Sequence, residues 1–105
     1  MRKPTRIRLD PEDRKRMILV SAVQNAKELG LYHITMVTVQ RKLSATSRAT
    51  IYVYYPSITT LRAAVVQEAL DKHYEKLIGE AVAMNHPLTK DLHKNDKKYY
   101  LTKLV

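Results

Sequence analysis

Apolar positions recur along this chain at the three- and four-residue spacings of helices. Ile18, Ala22, Ala26 and Leu29 form the first such face, with Leu19 and Val23 beside them, a recurrence that turns one side of an α-helix toward a core. Ahead of it, Asp10 is placed to cap free amides, Pro11 fits the first helical position, and Glu12 and Asp13 complement the positive end of the helix dipole. Gly30 supplies the left-handed residue that ends the helix. After a short connection with Ile34 pointing inward and Leu31 as a second inward candidate, Met36, Val39 and Leu43 share a second face opposite Gln40, Arg41 and Lys42, and Thr35 or Thr38 caps it. Ser44, Ala45, Thr46 and Ser47 then make a polar turn whose hydroxyls compete with helical hydrogen bonds.

The next run, SRATIYVYY from Ser47 to Tyr55, is β-branched and aromatic, so local propensity favours a strand. The helices on either side leave no partner strand, and a third helix is expected instead, with Ile51 and Tyr55 inside. Ser57 caps a long fourth helix expected to reach Asn85, with Pro87 as its stop. Leu61, Ala64 and Val65 close the core over the first helix. Further along, Val66, Leu70, His73, Leu77, Ala81 and Met84 recur every three or four residues with no core left to cover, a stripe expected to form a dimer interface; packing against the chain's own tail is the alternative. The tail itself is either a last amphipathic helix or a frayed end. The expected fold class is all-α: a three-helix helix-turn-helix domain, a longer fourth helix and a short helical or frayed tail.

Charge adds a partner to this picture. Lys and Arg number 19 against 10 acids, a net charge of +9, as in domains that bind polyanions. Residues 1 to 9 concentrate it: Arg2, Lys3, Arg6 and Arg8 make a flexible basic arm, suited to a minor groove or to phosphates, or serving only as a solubilising terminus. Residues 10 to 69 hold the helix-turn-helix and residues 70 to 105 the helix extension and basic tail. A domain of roughly 60 residues buries only about 60% of its unfolded surface, so self-association is expected to help.

Other chemistry finds little support. There is no cysteine, which excludes disulfides and thiolate metal sites, and only two glycines occur, which argues against phosphate-cradling loops. His33, His73, His86 and His93 do not fall at metal-ligand spacing. The acids are scattered singly, and Ser44, Thr46 and Ser47 lack a triad frame, so capping explains them better. No enzyme, cofactor or metal is expected. The basic start is followed by too short an apolar run for a signal peptide, and no stretch approaches about 18 apolar residues. The expected location is cytoplasmic, with no membrane partner.

From Arg16 to about Ala69 the chain resembles the DNA-binding domain of TetR-type transcriptional regulators. The matching positions are Ile18, Leu19 and Ala22, then Gly30, Thr35 and Val39, then Ala49-Thr50-Ile51-Tyr52, Tyr55-Pro56-Ser57 and Leu61. The resemblance implies a third helix in the major groove, DNA contact by Tyr52 and Tyr54, and Tyr55 in the core. Ser44 stands where a glycine is frequent, Gln40 where a small alanine is usual, and Ile58 where a phosphate-binding lysine is often found. Thr59, Thr60 and nearby backbone amides are then expected to take up that contact.

Side-chain chemistry assigns Ser47, Arg48, Ala49, Thr50, Val53 and Tyr54 to base reading, because guanidinium pairs with guanine and Thr or apolar groups meet a thymine methyl. Thr35, Thr38, Tyr52, Ser57, Thr59 and Thr60 are assigned to phosphate, with Arg14 and Arg16 as further candidates. The expected function is sequence-specific binding of double-stranded DNA by a small homodimeric regulator in a bacterial or phage-infected cell. The tail is too short for the family's helical ligand-binding domain, so no small-molecule effector is expected. Two other functions fit the same residues: a phage- or plasmid-type architectural, partition, replication or packaging factor, and a module that regulates another protein by direct contact.

Overall fold

The computed structural model describes residues 10–43 and 46–104. The basic arm of Arg2, Lys3, Arg6 and Arg8, and Ser44 and Ala45 of the polar turn, lie outside the described residues. The fold is all-α. Its helices are α1 (Pro11–Leu29), α2 (Met36–Arg41), α3 (Arg48–Tyr54), α4 (Ile58–Lys72), α5 (Glu75–Ala83) and α6 (Lys94–Thr102), with single 3-10 turns at Leu31–His33 and Pro87–Thr89.

The first helix begins as its sequence predicts. Asp10 Oδ1 accepts the Asp13 amide at 2.9 Å and Pro11 occupies the first turn, which satisfies one of the amides a helix start leaves unpaired. At the other end Gly30 adopts φ +104 with an extended ψ of 146, and its amide donates to Ala26 O. An added Cβ there would sit 3.0 Å from His33 Nδ1, so glycine serves both conformation and space. The tight exit swings Leu31 into the core and leaves Leu29 47% exposed. The inward position expected of Leu29 is therefore taken by Leu31, two residues on.

Ile18, Ala22 and Ala26 of α1 pack with Leu31, Ile34, Met36, Val39, Ile51, Tyr55, Leu61 and Val65. Each fully buried aliphatic side chain here contributes about 1.5–3 kcal/mol relative to exposure. Polar links fix how the helices meet. Ser21 Oγ donates to Val39 O at 3.3 Å, and Arg16 closes a two-pronged ion pair with Glu68 at 3.1 and 2.7 Å. Glu68 is buried, and the guanidinium holds its carboxyl below the ordinary 4.5 while the carboxylate raises the Arg16 value.

The long fourth helix divides in two. His73 takes the left-handed conformation, φ 61 and ψ 44, and the amides of His73 and Tyr74 both turn onto Ala69 O. Tyr74 then lies under Lys27, with the ammonium 3.8 Å from its ring centre. The chain folds back at this point and α5 joins the same core. Val66, Leu77 and Ala81 are almost wholly buried within this chain, Leu70 packs against the core, and His73 and Met84 are exposed. The six residues expected to form a dimer interface therefore do not form one continuous outward stripe. Most of them cover this chain's own core.

Pro87 does not end that helix either. The α5 helix stops earlier, where Asn85 adopts φ 56 and the His86 amide donates to Ala81 O at 2.9 Å. Beyond it the tail forms α6, which rests on Gly79. A Cβ at Gly79 would lie 2.5 Å from the Tyr100 carbonyl oxygen and 3.1 Å from Leu104, so the missing side chain is what lets α6 approach. The Glu80 carboxylate accepts the Leu31 amide at 2.8 Å, tying α5 to the junction between α1 and α2. Among the described residues no helix is long and apolar enough to cross a membrane.

Candidate nucleic-acid interface

Three helix starts present hydroxyl side chains. At α2 the Thr35 hydroxyl accepts the Thr38 amide while Thr38 Oγ1 accepts the Thr35 amide at 2.9 Å, a reciprocal capping box. Thr38 Oγ1 also lies 2.6 Å from Asn25 Oδ1, to which it donates, and 3.0 Å from Thr35 O. A hydroxyl has one hydrogen, and that of Thr38 is spent on acceptors inside the chain. Thr38 therefore has no hydrogen left for phosphate, contrary to the role expected of it. Thr35 is exposed.

The α3 and α4 starts share a different device. Ser47 Oγ accepts the Thr50 amide and pairs with Thr50 Oγ1 at 3.1 Å; Ser57 Oγ accepts the Thr60 amide and pairs with Thr60 Oγ1 at 3.0 Å. Each pair of hydroxyls holds two hydrogens and uses one between them. Among the described residues, one hydroxyl hydrogen per pair is left to donate outward. Thr59, between Ser57 and Thr60, is exposed.

The third helix is a display element. Of its seven residues Ile51 alone is buried, and Tyr55 anchors the following turn, its hydroxyl 3.5 Å from Lys15 O and Lys15 Nζ 5.6 Å from its ring. Burial raises the Tyr55 value above its ordinary range. On the other side Arg48, Ala49, Tyr52 and Val53 are exposed, Val53 to 75%. Thr50 is half-buried, and Tyr54 is half-buried against the core. Six apolar or aromatic residues in a nine-residue run would suit a strand by propensity, but Ser47 capping and the two inward anchors hold the run as a helix.

Of the expected base readers, Ser47, Arg48, Ala49, Thr50 and Val53 thus share one capped helix, and Tyr54 is turned partly inward. Of the expected phosphate groups, Tyr52, Ser57, Thr59 and Thr60 are exposed on α3 and the start of α4. Arg14 is exposed, whereas Arg16 is committed to Glu68 and is not free for phosphate.

One set of residues had no signal in the sequence. Arg62, one turn into α4, donates from Nε to Leu31 O at 3.2 Å and stacks over Tyr32, 5.0 Å from the ring centre. With Thr59 and His86 these residues line a cavity of about 420 Å³ beside the start of α4. No spacing rule links Tyr32, Arg62 and His86, which come from three separate segments. Among the described residues no group of three His, Cys, Asp or Glu side chains could hold a metal ion. The chain matches no family model, no curated protein and no solved structure.

Proposed function

We propose that this protein binds double-stranded DNA as a small, divergent TetR-like regulator, with α2 and α3 as its helix-turn-helix and α3 in the major groove. One observation carries the reading: α3 is pinned from inside by Ile51 and Tyr55 yet exposes Arg48, Ala49, Tyr52 and Val53 on a capped helix. An apolar group at 75% exposure on the same short helix as an exposed cation and phenol has no role in this chain's packing. On a duplex it has one, because Val53 can meet a thymine methyl while Arg48 forks onto guanine.

The hydroxyl pairs Ser47 with Thr50 and Ser57 with Thr60 each keep a donor for phosphate oxygen, so they position the helix without reading sequence. Regulation would take place in the cytoplasm. Two copies would occupy half-sites roughly 34 Å apart, joined by a surface other than the buried Val66, Leu77 and Ala81.

Selection of bound sequences from a random duplex pool tests this directly. A specific site is expected to win over bulk DNA by about 10³ or more. The double variant Arg48→Ala, Val53→Ala is expected to lose at least tenfold in affinity for that site with the fold unchanged, since both side chains are exposed. Cooperative coating of any duplex would instead make the protein an architectural factor. Full function in the double variant would leave a protein partner as the target.

A further inference from the structure

We propose that the cavity bounded by Tyr32, Arg62 and His86 is an oxyanion site that takes a phosphate group carrying an organic substituent. Its volume, about 420 Å³, falls within the range of roughly 300–1,000 Å³ typical of small-ligand sites. No carboxylate is among its lining residues, and Arg62 has no acid within ion-pair distance among the described residues. Its only hydrogen bond among them uses Nε. The two Nη groups are left as donors, held in orientation by the Leu31 carbonyl and the Tyr32 ring. That is the arrangement in which a guanidinium receives an oxyanion two-pronged.

The imidazole of His86 adds a second donor. Its Nδ1 accepts the Leu88 amide at 3.1 Å, which places the ring proton on Nε2 when the ring is neutral. Burial, and after it the Arg62 charge, lowers the His86 value, so the neutral N–H form prevails near pH 7. The exposed hydroxyl of Thr59 lines the same cavity. A planar carboxylate is satisfied by the guanidinium fork alone. A tetrahedral phosphate has a further oxygen for the imidazole or the hydroxyl. The ring of Tyr32 with Pro87 and Leu88 supplies an apolar wall for the ester substituent.

This chemistry could come from a free phosphomonoester or from a DNA backbone phosphate, and titration of the full chain with phenyl phosphate, inorganic phosphate and a duplex separates them. Phenyl phosphate is expected to give saturable NMR shifts confined to residues 32, 59–63 and 84–88, and to bind more tightly than inorganic phosphate. Arg62→Gln removes the fork. His86→Asn keeps an acceptor for the Leu88 amide but removes the Nε2 donor. Each is expected to weaken phenyl phosphate at least tenfold, with the amide spectrum elsewhere unchanged. If the duplex displaces phenyl phosphate and Arg62→Gln lowers the salt slope of duplex binding by about 0.9, the occupant is backbone phosphate. If both bind together, it is a free molecule. Failure to bind any duplex would sink the DNA reading and leave this site standing. Unsaturable shifts spread over the lysines, or equal binding by both variants, would overturn it.

Discussion

Two short helices in this protein follow turns without glycine, and they are used in opposite ways. The α3 helix buries one of its seven residues, and a serine hydroxyl caps its start. The α5 helix buries Leu77, Ile78, Gly79, Ala81 and Val82 of its nine residues, and no side chain caps it. Local hydrogen bonds and two anchors therefore hold α3, whereas α5 is held by packing. A helix that takes its order from its ends has its outer face free for a partner. One that takes its order from its core does not.

The largest effect should come from the packed member of the pair. Leu77 is 2% exposed, and truncating a buried leucine costs about 2–5 kcal/mol. For a domain of this size that is a large part of all its stability, commonly about 5–15 kcal/mol. Denaturant unfolding of Leu77→Ala is expected to show a loss in this range. A loss below about 1 kcal/mol would mean that α5 is not part of the cooperative core and that the contrast with α3 is wrong.

Ser47→Ala strikes the other helix at its cap. Losing a serine cap costs about 1 kcal/mol, and with a single buried residue to resist it, α3 should fray before the rest unfolds. Hydrogen exchange is expected to accelerate at Thr50 and Ile51 while α1 and α4 amides stay protected. Uniform acceleration throughout would show that α3 and α5 are equally bound into one unit.

Much of this division could be read from the chain, and the part that could not has a common cause. Asp10-Pro11, Thr35, Ser47 and Ser57 announce their helix starts because a cap is a local chemical event. Ile51 on α3 and Tyr55 just past its end are four apart, and both are inside. The break at His73 has no such mark, being neither glycine nor proline. Periodicity also runs straight through it: Val66 on α4 and Leu77 and Ala81 on α5 face the same core, so the spacing of a hairpin imitates that of one long helix. The cavity at Tyr32, Arg62 and His86 was hidden for the same reason, since folding back is what brings His86 beside α4.

Acid should produce a smaller effect, centred on the Arg16 and Glu68 pair that joins α1 to α4. The folded carboxyl lies below its ordinary 4.5, first because Arg16 hydrogen-bonds to it. A depressed carboxyl stabilises the fold above its unfolded value and loses that contribution as pH falls through the folded one. Half of the Arg16 side chain faces water, and solvent screening reduces what the pair is worth. Wild-type stability is expected to fall from pH 5 toward pH 3 more steeply than that of Glu68→Gln. Parallel curves would show that other carboxylates carry the acid sensitivity.

The smallest effect on stability should fall on the residue that matters most to the contrast. Val53 is 75% exposed on α3, so Val53→Ala removes almost no buried area, and alanine is the better helix former by a few tenths of a kcal/mol. Unfolding should therefore shift by no more than about 0.5 kcal/mol in either direction. If α3 enters a groove, the lost methyl groups would still weaken binding to the selected duplex, because an exposed residue in the free protein becomes a contact in the complex. Unchanged stability with reduced affinity would separate display from packing at a single position. Unchanged stability with unchanged affinity would show that Val53 contacts nothing, and would shift the reading surface toward Arg48 and Thr50.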